Sequence, residues 1–169
     1  MDSTEFKKDF IESIKTAAAV TGEGSCASFV DNMAQYLIDA EALSDFTPSF
    51  YKGKSGRSNY RVDGYVYDEF DNTMNLIIAD FDGNDLERRL TGTVANKDFD
   101  LLMKFLDAAL TTNLYQEIEM STPCADLVDL LRYNKKAIRK YRFLVFTDAD
   151  MSTAIKTVEI DDYNSIPVE

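Results

Sequence analysis

The sequence predicts an α/β protein of the α+β kind, in which a mixed β-sheet of about four or five strands is flanked by about four helices. Two early segments space their apolar residues as amphipathic helices do. Two central runs rich in Tyr, Val and Ile are separated by a short polar stretch, as in a pair of strands. A second helical pair and two further apolar runs follow. The block order ααββ–αα–ββ therefore indicates a mixed sheet covered by helices.

The first two segments predict helices from Ser3 to Val20 and from Ser25 to about Leu43 or Ser44. Between them stands Thr21-Gly22-Glu23-Gly24, whose glycines favour a helix end. The hydroxyl of Ser25 is of the type that caps a new helix. The apolar residues with helical spacing are Phe6, Phe10, Ile14 and Ala17 or Ala18 in the first helix, and Phe29, Met33, Tyr36, Leu37 and Ala40 in the second.

Residues 45–58 predict a loop, because Pro48, Gly53 and Gly56 stand among polar residues. The pattern then changes to that of strands. Asn59–Tyr67 and Thr73–Phe81 are joined by a polar connection of hairpin length, so we expect an antiparallel pair. The second strand is apolar almost throughout, which predicts burial on both of its faces.

The second half predicts a short strand at Arg88–Gly92 and a helix that opens at Asn96 or Asp98. Thr122-Pro123 marks the start of another helix, since Thr caps helices and Pro suits the first turn. That helix is expected to reach the basic residues 139 and 140, which favour a helix C-terminus. The last two predicted strands are Arg142–Thr147 and Ala154–Ile160.

The composition indicates one domain over residues 1–169, located in the cytoplasm. Cys26 and Cys124 lie far apart and lack partners at metal-binding spacing, so free thiols suited to a reducing compartment are expected. No apolar run follows the first lysines, as it would in a signal peptide. Stretches such as Leu76–Ala79 are too short to cross a bilayer, so we expect no membrane partner.

The chain contains no histidine, which excludes several classes of active site. Ser-His-Asp and Cys-His nucleophiles and histidine-ligated zinc all need that side chain. Walker and GxGxxG loops are also absent. Catalysis by this chain must rest on carboxylates, a divalent metal, lysine or tyrosine. The net charge of −12 argues against general coating of nucleic acid.

Asp63 and Asp80 are the candidate metal ligands. If the connection between their strands has four residues, Asp63 faces Ile78, and Asp80 lies diagonally beside it on the same face, about 7–8 Å away. Their carboxylates could then share one Mg²⁺ or Mn²⁺. With a five-residue connection, Asp80 turns to the opposite face unless a bulge at Gly64 restores it.

Two other interpretations of these aspartates stay open. Aspartates at strand ends are commonly exposed and without a role. Asp63-Gly64 between Tyr and Val residues is also a type I′ turn signal, in which case the assumed strand is itself a hairpin.

Six of the 18 basic residues fall within residues 132–142, a local patch on an acidic chain. As phosphate contacts they would form a salt-sensitive nucleic-acid surface; the alternative is a solvated helix face. Aromatic residues such as Tyr60, Tyr65 and Tyr67 could stack on bases, although packing in the sheet is their more ordinary role. The candidate nucleic-acid contacts are Arg132, Lys135, Lys136 and Arg139.

Three stretches together resemble the N-terminal region of the bacterial AIPR proteins, named for abortive infection and phage resistance. They are SFVDNMAQYLIDAEAL, YRVDGYVYDEFDNTMNLIIADFDG and RKYRFLVFTDADMS. The family pattern has a helix with acidic residues at its end, then a strand with hydrophobic-Asp-Gly-Tyr. An acidic turn and a hydrophobic strand ending in Asp-Phe follow. Asp63-Gly64-Tyr65 and Asp80-Phe81 fill those places here.

The resemblance implies a restriction-endonuclease-like core and a chain that is the N-terminal domain of a longer protein, whose C-terminal remainder is then a partner. Mapped onto this sequence, Glu41 is the helix acid, Asp63 the strand acid and Asp80 the acid of an acid-x-Lys motif. Asp82 departs from the pattern by occupying the lysine place. A lysine there would stabilise developing phosphorane charge, which an aspartate opposes.

Two functional hypotheses follow from these residues. The first is a phage-defence domain with a nuclease-like core, either a weak Mg²⁺- or Mn²⁺-dependent phosphodiesterase or a degenerate relative. In the active version Asp63 and Asp80 hold the metal, Glu41 supports them, and Lys97 or Lys104 replaces the missing lysine. The second is a non-catalytic interaction module with an acidic surface. Nothing in the sequence fixes the oligomeric state.

Overall fold

The computed structural model describes residues 2–152 and 160–169, and its mixed α+β architecture confirms the predicted fold class. A four-stranded sheet is covered by helices on both faces, and a two-stranded ladder lies beside it. The helices are α1 (Ser3–Thr21), α2 (Ser25–Asp39), α3 (Gly92–Thr111), α4 (Leu114–Glu117) and α5 (Cys124–Tyr133). The strands are β1 (Thr47–Ser55), β2 (Ser58–Asp68), β3 (Thr73–Asp80), β4 (Arg89–Leu90), β5 (Lys140–Thr147) and β6 (Asp150–Met151).

The two N-terminal helices form where their apolar periodicity predicted them. Gly22 ends α1 in the left-handed conformation, with φ 74°, and its N–H donates to the carbonyl of Ala18. The helix α2 ends at Asp39, so its predicted extension to residue 43 or 44 is wrong. The chain leaves the helix because Glu41 is left-handed, with φ 57°.

The predicted loop over residues 45–58 is wrong, because most of it forms β1. Pro48 is tolerated there because β1 is the edge strand of the sheet and its outer side needs no donor. The pairing with β2 shifts register between Pro48 and Tyr51, as at a bulge. Gly56, with φ 61°, then allows the tight return to β2.

The sheet order is β1-β2-β3-β5, with β5 parallel to β3 and the other pairs antiparallel. The predicted pair β2–β3 is confirmed, and its connection is the four residues 69–72. Because β2 is continuous through Asp63-Gly64, the type I′ turn interpretation of that dipeptide is wrong. All residues of β3 except Asp80 are buried, as the apolar run predicted.

The second half matches the predicted element types, with changed boundaries. The expected short strand forms as β4 and pairs with β6. The helix α3 begins four residues before Asn96, at Gly92, where the hydroxyl of Thr91 accepts the N–H of Val94. The helix α5 ends at Tyr133, so the bases at 139 and 140 do not lie in its last turn. The predicted strand Ala154–Ile160 falls almost wholly outside the described residues.

The helices divide the core into two layers, one on each face of the sheet. The helices α1 and α2 cover one face with Ile14, Phe29 and Val30 over Ile77 and Ala79 of β3. On the other face, α3 and α5 pack over Met74, Leu76 and Ile78 of β3, which belong to the larger apolar cluster. Within the described part of the chain, no helix is both long and apolar enough to span a membrane.

Candidate functional site

The alternation of side chains along β2 breaks at Asp63-Gly64. Val62 packs in the same apolar cluster as Tyr65 and Tyr67, although an uninterrupted strand would send them to opposite faces. Asp63 therefore faces α2 and lines a cavity there. Gly64 allows close packing at the break, since a Cβ atom would lie 2.3 Å from the ring of Phe46.

Asp80 lies on the other face of the sheet from Asp63. It has the same strand parity as Ile78, whose side chain packs towards α3, and it pairs in register with Thr147 of β5. The four-residue connection was expected to bring the two aspartates together on one face. The break in β2 reverses that expectation, and the structure does not bring their carboxylates together.

Asp63 is buried, with 5% of its side chain exposed, and both of its carboxylate oxygens have partners. Oδ1 accepts Nη2 of Arg61 at 3.0 Å, and Oδ2 accepts the backbone N–H of Ala79 at 2.8 Å. The second bond joins the middle of β2 to β3 just beyond Gly64, where the ladder between the two strands stops. Arg61 also donates to the sulfur of Cys26 at 3.7 Å. Burial is the main cause of the raised pKa of Cys26, so its thiol stays protonated at neutral pH.

Asp80 is held by Arg88. Nη1 of Arg88 donates to both carboxylate oxygens of Asp80, at 2.9 and 2.8 Å, and Nη2 donates to the Asp80 carbonyl and to Asp148. The hydroxyl of Thr147 donates to the same carboxylate at 3.0 Å. Burial opposes the charge of Arg88, but its bonds to the two aspartates raise its pKa above the ordinary value. These four residues are the arginine clamp.

Asp148 extends the arginine clamp to the loop after β3. Its side chain is 1% exposed, and its two oxygens accept the backbone N–H groups of Asp82 and Gly83. Asp82 itself is exposed and accepts the N–H groups of Asn84 and Asp85, which lower the pKa of its carboxyl. The residue at the lysine place of the motif therefore caps a turn.

Asp98, near the start of α3, is a buried acid close to the arginine clamp. Burial, and secondly the charge of Asp80, raise its pKa to about 6. Its Oδ2 atom is buried and has no hydrogen-bond partner among the residues that the structure describes. Among the charged groups around it, those of Arg61, Lys97 and Arg88 lower that pKa in part.

Glu41 and Lys97, the other two residues of the proposed catalytic set, make no hydrogen bond or ion pair with Asp63 or Asp80 in the described part of the chain. Glu41 is exposed, and its N–H bonds to the carbonyl of Ile38 as part of the turn that closes α2. Lys97 is exposed on α3. Lys104, the other candidate lysine, pairs with Asp100 on its own helix. None of the three donates to or accepts from Asp63 or Asp80.

The basic run divides into two parts. Arg132 lies over the ring of Tyr115, at 3.6 Å from its centroid, and donates to the carbonyl of Ala109, so it holds α5 against its neighbours. Lys135, Lys136 and Arg139 are exposed in the turns after α5.

Sequence reasoning missed Arg61, Arg88 and Asp148, which dominate the electrostatics of both aspartates. Arg61 was within reach of a sequence argument, because it stands two positions before Asp63 on one strand and so shares its face. The pairing of Arg88 with Asp148 spans 60 residues and left no local pattern.

The donor set does not fit a divalent cation shared by Asp63 and Asp80. Their carboxylates lie on opposite faces, and each is bonded to an arginine. Among residues 2–152 and 160–169 there is no group of three or more acidic or thiol side chains placed to hold a metal ion. The arrangement supports ion pairing and ligand binding, and we derive no catalytic step through a metal.

The model of the abortive infection phage resistance protein N-terminal domain matches residues 29–169 of the chain. No curated protein and no solved structure gives a significant match.

Proposed function

The chain belongs to the abortive infection phage resistance family, as an N-terminal domain, and from that premise we propose that it serves phage defence in the cytoplasm as a non-catalytic recognition module. In this proposal the layout resembles a nuclease core, but the two candidate acids, Asp63 and Asp80, each bind an arginine instead of sharing a cation. The match over residues 29–169 supports the defence role.

The observation that carries the non-catalytic proposal is the arginine clamp. Both carboxylate oxygens of Asp80 accept hydrogen bonds from Nη1 of Arg88, and the hydroxyl of Thr147 donates to one of them. A guanidinium supplies the positive charge that a metal would bring, but it has no open position for water or a phosphate oxygen. A metal would have to displace a half-buried arginine before it could activate a nucleophile.

The rival function is a weak Mg²⁺- or Mn²⁺-dependent phosphodiesterase. It needs Asp63 and Asp80 to converge with Glu41 and Lys97, and their hydrogen bonds and strand faces argue against that. The exposed Lys135, Lys136 and Arg139 favour some contact with nucleic acid, which binding without cleavage would satisfy.

Mn²⁺ titration followed by calorimetry tests the proposal on the wild type, Asp63→Asn and Asp80→Asn. The same samples are incubated with plasmid and single-stranded DNA in Mn²⁺. We expect no saturable Mn²⁺ binding and no cleavage by any of the three. Arg89→Met, an exposed neighbour outside the arginine clamp, serves as the matched control for purity and folding.

Cleavage by the wild type and by Arg89→Met that disappears in both aspartate variants would overturn the proposal. Circular dichroism of each variant separates loss of activity from loss of fold. Cleavage that persists in both variants and stays with the protein through further purification would also overturn the proposal, whereas cleavage that purification removes marks a contaminating nuclease.

A further inference from the structure

A cavity of about 580 Å³ opens between α2 and the α2-facing side of β1, β2 and β3. Its size lies within the range of about 300–1,000 Å³ that is usual for small-molecule sites. Most of its wall is apolar, from Val30 of α2, Pro48 and Phe50 of β1, Ala79 of β3 and Phe81. The cavity thus combines an apolar surface with charged groups that can orient a ligand. The charged residues that line it are Glu23, Asp31, Lys52, Arg61 and Asp63.

Arg61 lies at the sheet side of this cavity with donors that the protein leaves unused. One Nη2 contact goes to Asp63 and one to the sulfur of Cys26. Its Nε atom is buried and has no partner among the described residues. Buried donors are nearly always paired, and leaving one unpaired is destabilising. Nε itself is closed to a ligand, but 26% of the Arg61 side chain is exposed, so an acceptor in the cavity would contact the exposed part of the guanidinium.

Two further side chains strengthen the sheet side as an anion site. Lys52 of β1 lines the same cavity and forms no ion pair within the described part of the chain. The ring of Phe50 lies 5.7 Å from the guanidinium carbon of Arg61, which flanks the cation with an aromatic surface. Asp63 already has Arg61 and the N–H of Ala79 as partners, so it leaves the positive charge of Lys52 uncompensated.

The opposite wall, formed by α2 and the turn before it, is acidic. Glu23 and Asp31 line it, and burial followed by the charge of Glu23 raises the pKa of Asp31. An anionic group in the cavity is therefore repelled from α2 and attracted to Arg61 and Lys52. The opposite charges of the two walls therefore determine the orientation of a bound anionic ligand.

We propose that this cavity binds a small organic ligand in which a carboxylate or phosphate group is joined to an apolar or aromatic body. The anionic group binds Arg61 and Lys52, and the body lies against Phe50, Phe81 and Val30. This inference deepens the proposed recognition function by naming its ligand class. It is tested by binding alone, so it can fail while the absence of cleavage stands.

The probes are 1-naphthyl phosphate, 1-naphthoate and neutral 1-naphthol, titrated into the full chain by calorimetry. Alkylation by N-ethylmaleimide gives a second readout. The chain has two cysteines, and Cys124 is 0% exposed, so modification of the folded protein reports Cys26 in the cavity wall. We expect at least one anionic probe to saturate and to slow labelling of Cys26. The comparison of phosphate with carboxylate identifies the preferred group.

Four variants test the assignment. Lys52→Met should weaken binding of the anionic probe about tenfold, or about 1.4 kcal/mol. Lys54→Met, the same charge change two positions along the strand and outside this cavity, should leave it unchanged. Ala27→Trp, at an exposed position of α2 on the cavity wall, should block binding by filling space. Asp31→Asn should strengthen binding, because it removes a repelling charge.

Several results would overturn the proposal. One is 1-naphthol binding as tightly as the anions, which makes the cavity merely apolar. Another is an equal loss in Lys52→Met and Lys54→Met, which points to general attraction. Weaker binding by Asp31→Asn would mean that Asp31 does not repel the ligand, which contradicts the proposed placement of the anionic group. Absence of saturation by every probe up to the order of 1 mM would also refute it.

Discussion

Replacing Arg88 with methionine should lower the unfolding free energy by about 3 kcal/mol at pH 7. The change removes the contacts of Nη1 with both carboxylate oxygens of Asp80 and the contact of Nη2 with Asp148. The side chains of the two aspartates are 17% and 1% exposed. Breaking a buried pair from one side costs about 3–5 kcal/mol, because an uncompensated charge remains. The partial exposure of Asp80, and the N–H donors that Asp148 keeps, place the expected value at the lower end.

Urea unfolding followed by circular dichroism measures this loss. Arg89→Met is the matched control, because Arg89 is the exposed neighbour, and its change should stay within about 0.5 kcal/mol. The double variant Arg88→Met/Asp80→Asn should recover part of the lost unfolding free energy, because it removes one of the two carboxylate charges that Arg88→Met leaves without a cation. If Arg88→Met unfolds at the same urea concentration as Arg89→Met, the arginine clamp contributes no stability and the reasoning is refuted.

Two further predictions concern single residues of the fold. The pKa of Asp98 is about 6 in the folded protein, against an ordinary value of 3.8 for an unfolded chain. The stability that the folded protein gains from protonating Asp98 is therefore fully present below pH 3.8 and is lost as the pH rises through 6. Asp98→Asn should therefore raise the unfolding free energy by about 1–3 kcal/mol near pH 8 and little near pH 4, and an equal effect at both would contradict the assigned pKa. Glu41→Gly should raise the unfolding free energy by about 0.5–1 kcal/mol, because glycine adopts the φ of 57° found at this position without strain. Ala42→Gly, the control at the adjacent position, should not raise it. Equal thermal midpoints for the two variants would contradict this prediction.

The parts of the fold that the sequence predicted are those with local periodicity. The apolar spacing in residues 3–20 and the Tyr- and Val-rich run before an apolar strand each determine their element without distant help. The strand β1 escaped prediction because Pro48, Gly53 and Gly56 are turn signals wherever they occur. Only its place at the edge of the sheet makes a proline acceptable there.

The acids of the candidate site were visible in the sequence, but their surroundings were not. Asp63 and Asp80 were correctly placed on neighbouring strands. Their faces depended on one break in alternation at Gly64. The sequence suggested a bulge there only as the feature that would bring the acids together across a five-residue connection; with the four-residue connection it separates them. Their charges depended on Arg61 and Arg88, and only the folded chain brings Arg88 to Asp148. The sequence therefore predicted the strands that carry the two aspartates, but it did not predict the arginines that neutralise their charges.

Both outer edges of the four-stranded sheet are protected against pairing with another chain. Along β1, Pro48 withholds an N–H, the register shift distorts the strand, and Lys52 adds charge. Along β5, residues 167–169 lie parallel to the strand: Tyr141 and Phe143 donate their N–H groups to Pro167 and Glu169. Losing those three residues would leave the backbone N–H and carbonyl groups along the edge of β5 unpaired, which is the kind of edge from which intermolecular β-aggregation begins.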